Sequence, residues 1–329
     1  MSATSISGIH AAPAAGLQHF INTGEFDRPT LQAIVDRAIA NNGARSSALA
    51  GKSIALLFFN SSLRTRASFE VGIAQLGGHS TTLEVGAGVW NLEVLDGAVM
   101  DSDKPEHIKD AAIVLSRYFD AICVRSFPKL ARLDDDLADP VIESLRAHAT
   151  VPVINLESCL YHPCQAMADV MTIAERFGGT DGVKVALAWT PHIKALPTAV
   201  PNSFAIAARQ FGCDLTIVAP SGFPLPDVVM AQLGDVRVVH DQSALAGQDA
   251  VYAKSWGSLT DYGAPPPTAL SDWIITRDKI GSAAFMHCMP LRRNVEVADD
   301  VLDSGQNAAY DEAENRLHVQ KEILARLVA

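Results

Sequence analysis

Three short segments place hydroxyl, guanidinium and imidazole groups where a small anion could be held. The first is Ser62-Leu63-Arg64-Thr65-Arg66, directly after an apolar run that ends in Phe58-Phe59-Asn60. A strand enters, a Ser/Thr-rich turn follows, and a helix begins. The first turn of a helix leaves backbone N–H groups free and carries partial positive charge. The hydroxyls of Ser62 and Thr65, with the Arg64 guanidinium, complete an oxyanion cradle suited to phosphate. The plainer alternative is a capped helix with two solvated arginines. The second segment is His162-Pro163-Cys164-Gln165, at the start of another helix. A helix N-terminus lowers the pKa of a nearby histidine and favours the neutral imidazole. That ring can donate to a carbonyl oxygen and polarise it; the alternative is a buried capping histidine. The third is His287-Cys288-Met289-Pro290-Leu291-Arg292-Arg293-Asn294, at the end of a strand. Strand C-termini in open α/β sheets face the ligand crevice. Adjacent arginines there suit a carboxylate, or form an exposed basic turn. Nothing in the sequence supplies an activated Cys/His pair, so Cys288 is not expected to be a nucleophile.

Single polar residues close other strands: Arg125, Glu157 and Lys254. The run Asp134-Asp135-Asp136 reads as a solvated acidic face. Gly86-Ala87-Gly88 lacks a third glycine and a following helix, which makes it a poor dinucleotide fingerprint.

The elements that must position these groups follow from hydrophobic spacing. Leu31, Ile34, Val35, Ala38 and Ile39 mark one amphipathic helix, with Pro29 in its first turn. Residues 53–60 read as a buried strand. A helix over 65–76 should stop at Gly77-Gly78. Strands are expected at 81–85, 121–124 and 151–155, with helices at 106–118 and 137–148. A second series has strands at 183–189, 215–219, 236–240, 250–254 and 284–288, with helices at 165–177 and 199–211. A Gly/Pro-rich loop covers 257–267 and a last helix covers 309–328. Alternation of this kind predicts α/β architecture: two doubly wound parallel-sheet domains, with the C-terminal helix packing back on the first. The expected division assigns 1–157 and 309–329 to one domain and 158–308 to the other.

Composition sets the outer bounds. The 329 residues suffice for two cores, and 48% are apolar. A net charge of −11 argues against non-specific nucleic-acid binding, yet permits a small anion at a locally positive site. No apolar run is long enough for a membrane helix. Residues 1–20 lack a secretory signal and read as a loose extension. The five cysteines, at 123, 159, 164, 213 and 288, are odd in number and show no CxxC spacing. They fit reduced thiols in a cytoplasmic protein better than disulfides or a zinc site.

The three motifs, in this order and spacing, resemble those of the aspartate/ornithine carbamoyltransferase superfamily, and the likeness runs from His19 through nearly the whole chain. The resemblance implies two α/β domains, a homotrimer with active sites shared between subunits, and no cofactor or metal. It implies that Ser62, Leu63, Arg64 and Thr65 hold the phosphate of carbamoyl phosphate. Arg125 and the His162-Pro163-Cys164-Gln165 motif would meet the carbamoyl end, with Arg125, His162 and Thr65 as the catalytic groups. Cys288 and Met289 would offer backbone groups where phosphate and acceptor meet; the family has leucine in place of Met289. Ordinary ornithine carbamoyltransferases grip the free α-ammonium with an aspartate. Here Tyr252-Ala253-Lys254-Ser255-Trp256-Gly257 carries a lysine, which suits an acylated, neutral α-nitrogen. This segment, Trp90 and the 312–321 helix look like the N-acylornithine branch. There Trp90 would reach a neighbouring subunit's site and Arg316 would contact carbamoyl phosphate. Glu157, His192, Lys254, Met289 and Arg292 match acceptor-binding positions. Pro105 resembles succinylornithine enzymes; acetylornithine enzymes have glutamate there. The plainer reading is that Pro105 starts the helix expected at 106–118. Glu296 stands where acetylornithine enzymes resemble a lysine, carboxylated in at least some cases, so no such modification is expected here. The expected reaction carbamoylates the δ-amine of N2-succinyl-L-ornithine, giving N-succinylcitrulline and phosphate on a route to arginine. The alternatives are N-acetylornithine, ornithine, or a ligand-binding homologue without activity. An oxidoreductase on a similar scaffold is opposed by the missing GxGxxG.

Overall fold

The structure is a computed structural model and describes residues 18–329. The expected loose extension lies mostly outside the described residues.

The first sheet has β1 (Ser53–Phe58), β2 (His79–Glu84), β5 (Ala121–Arg125) and β6 (Val153–Glu157), all parallel, in the order β2-β1-β5-β6. Two-residue strands β3 (Leu92–Glu93) and β4 (Glu106–His107) pair beside it. Its helices are α1 (Arg28–Ala40), α2 (Leu63–Gln75), α3 (Ile108–Tyr118), α4 (Leu133–Leu137) and α5 (Pro140–His148). β1 is buried from Ile54 onward, because a parallel sheet is covered on both faces. One face packs Leu31, Val35, Phe69 and Ile73; the other packs Ile108, Ala112, Ile142 and Leu145.

The second sheet has β7 (Lys184–Trp189), β8 (Asp214–Val218), β9 (Arg237–Val239), β10 (Ala250–Lys254) and β11 (Ala284–Met286), in the order β11-β10-β7-β8-β9, again parallel. Helices α6 (Pro163–Phe177), α7 (Ala199–Gln210), α8 (Asp227–Leu233), α9 (Arg277–Ile280) and α10 (Asp299–Leu302) accompany it. Phe204 stacks on Tyr252 at 3.9 Å between ring centroids, under one face of this sheet.

α6 lies between the two units and is buried on all sides from Pro163 to Ile173. Cys164, Ala166, Met167 and Val170 join the first core, and Ile173 joins the second. The expected division after residue 157 therefore falls just ahead of a helix shared by both cores. The last helix, α11 (Ala309–Val328), packs on α6, α2 and α1 and adds Val319 and Ile323 to the first core.

Several local expectations need correction. The helix expected from residue 106 begins at Ile108, because Glu106–His107 pairs as a strand with Leu92–Glu93. Pro105 thus precedes a strand and does not start a helix. The helix expected over 137–148 is broken: Asp139 adopts a left-handed conformation, φ 45°, between α4 and α5. Asp136 is not solvated. Its buried carboxylate accepts the N–H groups of Lys129 and Leu130 and the hydroxyl of Tyr262. The last strand stops at Met286, two residues early. α2 does end as expected, at Gly77, whose φ of 78° is a conformation that glycine adopts without strain.

Candidate functional site

The C-terminal ends of six strands open on one cleft between the sheets, as open α/β topology dictates. Ser62–Thr65 follows β1. Arg125 ends β5 and Glu157 ends β6. His192 follows β7, Lys254 ends β10, and Cys288–Arg292 follows β11. The cleft has a volume of about 590 Å³. Its lining holds six cations, Arg64, Arg125, Lys194, Lys254, Arg292 and Arg316, against two carboxylates, Glu157 and Glu296. A chain of net charge −11 thus concentrates a formal excess of four positive charges in one cavity. Such focusing draws anions in.

The anion-binding end is built on α2. Ser62 is its N-cap, and its hydroxyl accepts from the Thr65 N–H at 3.3 Å. Arg316 reaches across from α11 and donates to Thr65 Oγ1 at 2.8 Å. The Arg64 Nε is buried and has no hydrogen-bond partner among the described residues, and burial lowers the pKa of its guanidinium. A partly buried guanidinium whose Nε lacks an acceptor is matched by an incoming oxyanion.

The centre of the cleft holds Arg125, Glu157 and His162. Arg125 Nη1 donates to Glu157 Oε2 at 2.5 Å, and His162 Nε2 lies 3.5 Å from the same oxygen. Burial pushes the His162 pKa well below the usual histidine value, and the charges of Arg316 and Arg125 add to this. That shift favours the neutral ring, with burial as its main cause in place of the helix N-terminus that the sequence suggests. Its Nδ1 has no partner among the described residues. Its backbone N–H is held by Ser203 Oγ at 2.7 Å. Gln165 sits one helical turn on, with its Oε1 buried and unpartnered at the cleft.

The far end holds His192, Lys254, Arg292 and Glu296. Arg292 Nε donates to His192 Nε2 at 3.1 Å. Glu296 is buried, accepts the Arg292 N–H at 2.6 Å, and lies 3.3 Å from His287 Nε2. Burial raises the Glu296 pKa, but the His287 bond and charge, with Lys254, outweigh it and hold the carboxyl at about 2. Glu296 is therefore a fixed anion beside Lys254. Burial pushes the thiols of Cys164 and Cys288 up to about 12, so neither is a thiolate at neutral pH.

Most of the expected residues converge here, but not all. Pro163 and Cys164 are buried and do not line the cleft. Trp90 is 59% exposed, away from this chain's own cleft, and donates to Glu106 Oε2 at 2.7 Å. Pro105 is also exposed and outside it. Of the two adjacent arginines only Arg292 faces in. Arg293 turns outward to Asp299 and Asp303, at 2.8 and 2.9 Å. Sequence reading missed Phe127, whose ring lies 4.3 Å from the Arg125 guanidinium, and Lys194, an exposed cation at the cleft. Lys194 stands two residues after His192, a spacing that could have flagged it.

Two family descriptions match the chain: "Aspartate/ornithine carbamoyltransferase, carbamoyl-P binding domain" over residues 18–175, and "Aspartate/ornithine carbamoyltransferase, Asp/Orn binding domain" over residues 181–327. An N-acetylornithine carbamoyltransferase of Xanthomonas campestris pv. campestris is 44% identical, over 95% of this chain and 98% of that one. An N-succinylornithine carbamoyltransferase of Bacteroides fragilis is 38% identical, over 84% of this chain and 87% of that one. Among solved structures, an N-acetyl-L-ornithine transcarbamylase with one glutamate mutated to proline, complexed with carbamyl phosphate and N-succinyl-L-norvaline, superposes with a TM-score of 0.91. It is 43% identical and covers 95% of this chain and 100% of that one.

Proposed function

Since the chain belongs to the aspartate/ornithine carbamoyltransferase family, we propose that it carbamoylates the δ-amine of N2-succinyl-L-ornithine. That it is a carbamoyltransferase of the N-acylornithine branch follows from the family and its named relatives. In our reading, the phosphate of carbamoyl phosphate sits on Ser62–Thr65, against Arg64 and Arg316. Arg125, neutral His162 and Thr65 draw negative charge onto the carbonyl oxygen. The Gln165 Oε1 accepts from the carbamoyl NH2. The neutral δ-amine attacks the carbonyl carbon, the C–O bond to phosphate breaks with its electron pair, and the amine proton ends on phosphate. Positioning and electrostatic stabilisation carry the rate. The acceptor carboxylate falls to Lys254 and Arg292, with Glu157, His192 and the Met289 main chain beside it.

Exposed side chains support self-association, with Trp90 of one subunit entering the next subunit's cleft. Leu63, beside the phosphate cradle, is 79% exposed in the single chain and would be covered in such a trimer.

The choice of the succinyl group rests on Pro105, which lies outside this chain's own cleft and, next to the Glu106 that holds Trp90, would enter the next subunit's cleft with it. A glutamate there would repel the second carboxylate of a succinyl chain; proline carries no charge. Lys194, Lys254 and Arg292 line the cleft without an ion pair among the described residues; with Lys254 and Arg292 given to the α-carboxylate, Lys194 is left to meet the succinyl one. The glutamate-to-proline enzyme solved with N-succinyl-L-norvaline supports the same logic. Overall identity favours acetylornithine, at 44% against 38%. Overall identity is summed over the whole chain, whereas the acyl groups differ by one charge at one end. The test compares kcat/KM for both acceptors in wild type and Pro105→Glu. Wild type is expected to prefer the succinyl substrate and the variant to shift toward acetyl. A wild-type preference for acetylornithine would assign the acetyl acceptor and leave the carbamoyl transfer standing.

A further inference from the structure

The cleft residues rest on a buried acid pair that the reaction itself does not call on. Asp169 lies on α6 one turn after Gln165, and Glu312 lies on α11 one turn before Arg316. Both are fully buried. The Gln165 Nε2 is 2.8 Å from Asp169 Oδ1 and 2.7 Å from Glu312 Oε1. An amide nitrogen has two hydrogens, so both are taken. The Gln165 Oε1, buried at the cleft, is left with no partner among the described residues.

We propose that Asp169 and Glu312 are positioning residues for the transfer, jointly holding both N–H bonds of the Gln165 amide so that its Oε1 alone faces the cleft. This rests on the carbamoyl-transfer reading, in which that oxygen receives the carbamoyl NH2. A reversed amide would turn its oxygen toward two acceptors and its NH2 toward the substrate's own NH2.

The protonation of the pair follows from its contacts. Two buried carboxyls on one amide nitrogen do not both ionise. Burial raises both, and the Asp169 charge raises Glu312 further. The groups facing them are Arg316 on α11, Tyr252 on β10, Gln165 on α6 and the neutral Cys288 thiol after β11. Glu312 Oε2 also accepts the His287 N–H at 3.0 Å, so both Glu312 oxygens are acceptors. Among the described residues Asp169 Oδ2 receives no hydrogen bond, and the Tyr252 hydroxyl near it has no partner either. The pair therefore shares one proton, and its acceptors are unevenly used: both Glu312 oxygens are engaged, whereas Asp169 Oδ2 is free among the described residues.

This asymmetry gives the test. Titration calorimetry at pH 7 measures Kd for carbamoyl phosphate and for inorganic phosphate, which lacks the carbamoyl group. The ratio of the two reads the carbamoyl contact alone. Asp169→Asn keeps the Oδ1 acceptor and places its NH2 at the free Oδ2 position, so the ratio should hold within about threefold. Glu312→Gln has the same size but must turn its NH2 onto the His287 N–H or the Gln165 NH2. It should lower the ratio by about tenfold or more. Glu312→Leu, which removes both acceptors while filling the space, should do the same if Glu312→Gln fails to fold. A packing role would treat the two isosteres alike. Equal effects, or a reversed order, in a wild-type background that prefers carbamoyl phosphate would overturn the proposal. A wild type with no such preference would instead remove the carbamoyl-transfer reading beneath it.

Discussion

Arg64→Ala is expected to weaken carbamoyl phosphate binding by about 2–5 kcal/mol, the cost of truncating one partner of a desolvated charge pair. At 1.4 kcal/mol per decade this is a loss of about 30-fold to a few thousand-fold in Kd. The size follows from the site. Arg64 stands in the first turn of α2, its Nε is buried, and it has no protein acceptor among the described residues. It is held ready for an anion, with the α2 N-terminus and the Arg316–Thr65 contact on the same side. Fold stability should change little, because the substitution breaks no ion pair among the described residues and slightly relieves the repulsion from Arg125. Calorimetry with carbamoyl phosphate measures the effect. Unchanged affinity in a folded variant would remove Arg64 from the phosphate site.

A second large effect is expected at Arg125, and here stability moves as well as rate. Arg125 and Glu157 end adjacent strands, and their side chains are only 10% and 11% exposed. In Arg125→Met, Glu157 remains as a buried carboxylate facing a neutral His162. Breaking a buried pair in this way costs about 3–5 kcal/mol. Urea denaturation at pH 7 should show that loss. Glu157→Gln added to Arg125→Met should recover most of it, because the stranded charge is gone. The double variant should still be slow, by about 10²–10³ in kcat, since a donor aimed at the carbonyl oxygen has been removed. Equal stability of the single and double variants would contradict the buried-pair account. Wild-type turnover in the double variant would contradict the oxyanion role.

The two sheets and the cleft between them were legible because parallel strands are buried runs, and their C-terminal ends are polar wherever a crevice opens. Arg125, Glu157 and Lys254 each stood out as a charge at the end of such a run, and all three line the cleft. What was not legible depends on which way a residue turns. Arg292 and Arg293 look equivalent in sequence, but the left-handed Asn294 that follows, φ 59°, closes a turn in which Arg293 meets Asp299 and Asp303. In Asp134-Asp135-Asp136 the charge run hides that the third carboxylate folds under backbone N–H groups and a tyrosine from the second unit. Pro105 looked like a helix start because hydrophobic spacing resumes after it; the two-residue pairing with Leu92–Glu93 is too short to leave a pattern. Asp169 and Glu312 are 143 positions apart, and only the packing of α11 on α6 brings them to one amide.

The most direct test of the account is a carbamoylation assay on the purified protein, with carbamoyl phosphate supplied and N-succinylornithine, N-acetylornithine and ornithine offered in parallel. Colorimetric detection of the citrulline-type product reads all three. The account predicts product from the acylated acceptors, the succinyl form ahead, and very little from ornithine, whose α-ammonium would face Lys254. Efficient turnover of ornithine, or no carbamoyl transfer to any of the three, would contradict it.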